Sequence, residues 1–166
     1  MENYKIGNYQ GIKIECWSIR DLVGLHHLLQ QEGCPLSENI FADSDKAIEL
    51  DDVQRKISQK YHCDKKSSVD ILLHVEQNSH SKLLLADAKY RVNNIANLDP
   101  KELQKKMSET RAIVQTDIPI SSDLYILLAK KACSESKKNM IRRKFSNKPN
   151  YYFVDTITFH KMFEHQ

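Results

Sequence analysis

The chain has 166 residues, 40% of them hydrophobic and 28% charged, with a net charge of +3 at neutral pH. That length suits one domain with a proper core and is too short for two ordinary ones, so residues 1–166 are expected to fold as a single unit. The mix is that of an ordinary globular chain without repeats or low-complexity tracts, and no stretch nears the ~18 apolar residues of a membrane span.

The mild positive charge permits a nucleic-acid partner without arguing for one, a task left to local clusters. The opening residues Met1 to Lys5 lack the apolar core of a signal peptide. Cys16, Cys34, Cys63 and Cys133 form no Cys-x-x-Cys pair, so reduced thiols in a cytoplasmic protein are expected. His26-His27 and His62-Cys63 lack the ligand spacing of a structural zinc site.

Residues 9–31 read as the first helix. Ile12, Cys16, Ile19, Leu22, His26 and Leu29 recur at helical spacing, and Gly33 is a plausible stop. Glu15 falls between Ile12 and Ile19 on the inward stripe, an unusual place for a carboxylate. A rim position, satisfied by a lysine or by water, would account for it. Residues 33–47 form a polar loop. A second helix covers Asp51 to Lys60 through Leu50, Val53 and Ile57, and Glu49 is the second candidate for a helical carboxylate. Lys56, Lys60, Lys65 and Lys66 then gather as a solvated face or as phosphate contacts.

Ser68 to Arg91 is the stretch around which the chain is organised. Two apolar runs flank Asn78-Ser79-His80-Ser81, which is the pattern of a β-hairpin. Both runs are too apolar for a sheet with one wet side, so both faces are expected to be covered. Asp70, Asp87 and Lys89 nevertheless sit inside them, and charges there are costly unless paired or bound to a metal. If residues 78–81 are the loop, Gln77 pairs with Lys82, Asp70 lies opposite Lys89, and Leu72 lies opposite Asp87. Asp70 and Asp87 are then diagonal neighbours on one face, ~7–8 Å apart at the backbone. Two carboxylates so placed can share a divalent cation, and Mg²⁺ suits hard oxygen ligands supplemented by water. Lys89 would project beside it. The competing reading is a cross-strand ion pair between Asp70 and Lys89.

Asp99-Pro100-Lys101-Glu102 is a helix start, with Asp99 as N-cap, Pro100 at the first position and Glu102 as the reciprocal acid. Leu103, Met107 and Val114 carry the apolar stripe to about Gln115. Asp123 to Ala129 is a fully buried strand, placed parallel beside the hairpin by the strand–helix–strand order. Lys137, Lys138, Arg142, Arg143, Lys144 and Lys148 interleave with Met140, Ile141 and Phe145, which suits a docked helix with a basic outer face. That face serves solubility or holds phosphates. Tyr151 to Thr158 is a last strand, and Phe159 to Gln166 should cap a sheet edge. The expected fold is α/β, a mixed sheet of about four to five strands flanked by helices.

Asp70 followed by Asp87-Ala88-Lys89 in a hydrophobic hairpin resembles the PD-(D/E)XK nuclease superfamily, the restriction-endonuclease-like fold. Val69 stands where a proline often precedes the first aspartate. Ile14-Glu15-Cys16-Trp17, with Leu22 and Leu28-Leu29, is similar to the opening helix of one branch, in which the glutamate faces the metal site. That branch carries Met-x-x-Tyr-Arg, often after a glutamine, in a later helix. Met107 and Arg111 match it, while Lys106 and Thr110 hold the glutamine and tyrosine positions. The resemblance spans residues 12–130 and implies an α-β-β-α-β core. It further implies a nuclease hydrolysing phosphodiester bonds in DNA with Mg²⁺ or Mn²⁺. Asp70, Asp87, the Ala88 carbonyl and Glu15 would bind the metal, and Lys89 would assist the attacking water. Arg91, Lys138, Arg142, Arg143 and Lys144 would hold the nucleic-acid backbone. Such proteins act in restriction, phage defence or DNA repair, as homodimers or in larger complexes. Two other functions compete. One is a nuclease-like nucleic-acid-binding or scaffold subunit with weak or no catalysis. The other is a structural protein whose hairpin charges are simply a buried ion pair.

Overall fold

The two apolar runs form the central hairpin, β5 (Ile71–Gln77) and β6 (His80–Ala88). The computed structural model describes residues 3–133, 143–145 and 150–163. The hairpin turns on only two residues, Asn78 and Ser79, at φ 49° and 65°. Two successive left-handed residues give a turn whose twist matches that of the flanking strands. Gln77 therefore pairs with His80, not with Lys82 as the four-residue loop required. The register moves by two residues, so each side chain keeps its face while its partner changes.

Around this hairpin, β3 (Val23–Gly24), β4 (Lys46–Glu49), β8 (Ile120–Leu128) and β9 (Tyr151–Asp155) complete the order β3-β4-β5-β6-β8-β9. β1 (Lys5–Ile6) pairs antiparallel with the far end of β5, giving seven strands in all. The excess over the expected four to five comes from two-residue edge strands. β3 to β6 run antiparallel to one another, while β6, β8 and β9 are parallel. The parallel step from β6 to β8 passes through α3 (Pro100–Ile113), as the strand–helix–strand reading predicted.

Alternation along the strands splits the interior into two apolar layers. Leu72, Leu83, Leu85, Leu124 and Ile126 pack with Val53 of α2 (Leu50–Tyr61) and with Leu103 and Met107 of α3. Ile71, Leu73, Leu84, Ala86 and Tyr125 pack with Leu25, Leu28 and Leu29 of α1 (Leu25–Gln31) and with Phe159 of α4 (Thr156–His160). The result is a single α/β domain with a mixed sheet covered on both faces.

The first helix is far shorter than expected. Residues 9–31 contain β2 (Lys13–Ile14), a 3₁₀ turn over Ile19–Asp21 and β3 before α1 begins. Gly11 and Cys16 adopt left-handed backbone at φ 79° and 61°, which no helix interior allows. Ile12, Cys16 and Ile19 fall at helical spacing, but Ile12 and Ile14, two residues apart, are both buried as on one strand face, and β2 pairs with β7 (Val114–Gln115) in a separate ribbon. The final strand is also cut short, because Thr156–His160 turns helical behind an Asp155 cap whose Oδ1 accepts the Thr158 N–H at 2.7 Å. Beyond it Phe163 bridges to Tyr4.

Candidate metal centre

The corrected register decides the geometry of the acidic pair. Ile71 pairs with Ala86, so Asp70, the residue before β5, meets Asp87 directly rather than diagonally. The two interlock through the backbone. Asp87 Oδ1 accepts the Asp70 N–H at 3.2 Å, and Asp70 Oδ2 accepts the Ala88 N–H at 2.8 Å. Asp87 is fully buried and Asp70 half-buried. Burial, and then the neighbouring Asp87 charge, push the Asp70 carboxyl well above the usual carboxylate range. Two carboxylates so held need a cation or a shared proton between them.

Lys89 is drawn in as expected, but its partner is Asp87 at 3.5 Å, not Asp70. The simple cross-strand pair of Asp70 with Lys89 is not formed. A second lysine, absent from the expected set, sits closer. Lys106 of α3 places its ammonium 3.3 Å and 3.2 Å from the two oxygens of Asp87. Burial works to lower the pKa of this ammonium, but the charges of Asp87 and Asp70 outweigh it and hold it raised. Glu102, one turn earlier, lies 3.6 Å from Lys89 and 4.0 Å from Lys106 at the exposed rim. The Asp99 cap of α3 forms, its Oδ1 accepting the Lys101 N–H at 2.9 Å, while Glu102 stands beside the lysines.

Thr110 anchors the arrangement. Its hydroxyl donates to the Lys106 carbonyl at 2.7 Å and accepts the Val69 N–H at 3.0 Å, tying α3 to the entry of β5. On the other side the Leu50 N–H donates to the Asp70 carbonyl at 3.2 Å, tying α2 to the same point.

Glu15 is not brought to this place. It is exposed, held by Lys60 at 2.9 Å and by the Tyr61 hydroxyl, and both partners pull its carboxyl below the usual range. Those partners end α2, whose first residue touches Asp70, and ten helical residues separate the ends by about 15 Å. The expectation that Glu15 is a metal ligand and catalytic residue is therefore corrected. It rested on a helix over residues 9–31 that does not form.

Glu49 ends β4, pairs with Ile71 and precedes α2, so it stands next to the centre in the sheet. Burial and then the charges of Asp52, Asp51 and Glu32 raise its pKa. Glu32, at the end of α1, is the acid that the sequence reading missed. Its pKa is raised by burial first, then by the charges of Asp51 and Asp87. One signal was available: an acid closing a helix just before glycine opposes the helix dipole and needs another reason to be there.

Arg91 is exposed and leans on the end of α1, with its Nη2 3.5 Å from the Gln31 carbonyl. It packs so close to Gly33, at φ 98°, that a Cβ there would lie 3.1 Å from its Nε. Arg143 and Lys144 are exposed, and the Lys144 ammonium donates to the Ala96 carbonyl. Lys138 and Arg142 lie outside the described residues. The lysines ahead of the hairpin are largely paired: Lys56 with Asp52 at 3.1 Å, Lys60 with Glu15, and Lys65 with Asp51 at 2.5 Å. Those pairs favour a solvated face over phosphate contacts.

The donor set fits a hard cation. Asp70 and Asp87 offer carboxylate oxygens, and the Ala88 N–H turns toward Asp70, so in extended backbone its carbonyl is offered on that same side. Among the described residues no three His, Cys, Asp or Glu side chains gather as a complete metal cage. Water would have to fill the rest, which suits Mg²⁺ or Mn²⁺ better than zinc.

Comparisons of the chain with protein-family models, with curated proteins and with solved structures return no match. Among the described residues no helix is long and apolar enough to cross a membrane.

Proposed function

We propose that this protein is a metal-dependent nuclease of restriction-endonuclease-like fold that hydrolyses phosphodiester bonds in DNA. What supports the reading is one juxtaposition: Asp70, just before β5, interlocked with Asp87 of β6, with Lys89 two residues further on and 3.5 Å from Asp87. The sheet order agrees with an α-β-β-α-β core extended at its edges. A bound Mg²⁺ or Mn²⁺ supplies Lewis acidity and a water of lowered pKa. Asp70, Asp87 and the Ala88 carbonyl would hold it. Lys89, only partly exposed, orients the attacking water or stabilises charge developing on the phosphate. Glu32 adds negative charge near Asp87 without joining the ligand set. Arg91, Arg143 and Lys144 face solvent and are available to phosphates.

A nicking assay with supercoiled plasmid and Mn²⁺ tests this. The wild type is expected to open the circle, and Asp87→Asn and Lys89→Ala to lose activity by about 10²-fold or more. Equal nicking by all three proteins would sink the proposal. A second reading, a nuclease-like scaffold subunit without catalysis, is favoured by one observation. Asp87 already has two ammonium groups beside it, so its charge is satisfied without metal.

A further inference from the structure

Lys106 is placed where no hairpin residue could put it. Its ammonium faces both oxygens of Asp87 at nearly equal distance, and its side chain is only 15% exposed. Thr110 fixes the backbone of that turn through the Lys106 carbonyl. The ammonium thus engages both Asp87 oxygens, which a divalent cation held by Asp87 would need. Two positive centres on one buried face repel strongly, because little solvent screens them. A retreat exists on the same helix: Glu102 lies one turn away, 4.0 Å from Lys106 and half-exposed, on a spacing that favours such a pair.

We propose that Lys106 is a resident counter-cation of the acidic pair, exchanged for the divalent metal when the metal binds and released toward Glu102 and the incoming phosphate. The proposal rests on the nuclease reading, since it takes the metal site as given. It makes Lys106 a positioning residue that sets metal affinity from α3. Lys89 keeps its place beside Glu102 and the substrate.

Calorimetric titration with Mn²⁺ alone, on wild type, Lys106→Gln and Lys106→Arg, tests the exchange. Removing the resident charge should tighten Mn²⁺ binding by about tenfold, and Lys106→Arg should stay near the wild type. Thermal melts give an activity-free readout. Metal-free Lys106→Gln should melt below the wild type, because Asp87 loses its nearest partner, and Mn²⁺ should raise its melting temperature by more than it raises the wild type's. A Lys106→Gln chain that folds only with Mn²⁺ is the same result in stronger form. One that stays unfolded in Mn²⁺ overturns the exchange, since the ion then cannot replace the ammonium. Wild-type binding with Lys106→Gln equal or weaker overturns the exchange and leaves the nuclease reading standing. Binding by Lys106→Gln alone upholds the exchange and moves the function to the scaffold reading. No binding by any of the three overturns both.

Discussion

Asp70 and Asp87 each hold a backbone N–H at the other's strand, so neither carboxylate can turn away from its neighbour without leaving an amide unpaired. Repulsion between them is built into the fold rather than avoided by it.

That repulsion has a pH signature. The folded-state pKa of Asp70 is raised, so the folded chain binds a proton more tightly than the unfolded chain does. For this group, stability is full below the ordinary carboxylate pKa and falls as pH rises toward the raised value. The metal-free protein should therefore gain stability on mild acidification from alkaline pH. Asp70→Asn should flatten that dependence and melt a few degrees higher at alkaline pH. Melting curves across pH for both chains, without metal, check this.

Thr110 is fully buried and serves α3 and β5 together. Thr110→Val keeps the shape but strands the Val69 N–H, which costs about 1–3 kcal/mol. Thr110→Ser should recover most of it. Denaturant unfolding of the two variants checks the difference.

Glu15 and Glu32 separate the sequence reading from the structural one. Glu15→Gln should leave Mn²⁺ affinity and nicking unchanged, because its partners are Lys60 and Tyr61 at the far end of α2. Glu32→Gln should weaken Mn²⁺ binding severalfold, through the charge it adds near Asp87. Calorimetry on the two variants, side by side, checks the order.

Ser79 occupies left-handed backbone at φ 65°, a conformation that glycine adopts without strain. Ser79→Gly should stabilise the hairpin by about 1 kcal/mol. A fall in denaturation midpoint would show that a different turn holds the register.

Much of this was legible in the chain. The hairpin, the parallel return through α3 and the Asp99 cap follow from apolar runs and local hydrogen bonding, which a sequence carries openly. The partner of Asp70 was not legible. It depended on whether His80 and Ser81 turn or pair, and two polar residues suit either. Lys106 was hidden because its role comes from the packing of α3 on the sheet, not from its neighbours in sequence. The long first helix failed for the converse reason. Apolar spacing alone spoke for it, while Gly11 and Cys16 bent the backbone out of reach.

β6 has hydrogen-bonded neighbours along both flanks, β5 on one side and β8 on the other, and Lys89 N–H continues the second ladder to the Leu127 carbonyl. Amide protons from Leu85 to Lys89 should accordingly be among the slowest to exchange with deuterated solvent, opening only with the whole molecule. The chemistry would then ride on the stiffest part of the chain, and any adjustment to an arriving strand would have to come from the surrounding loops.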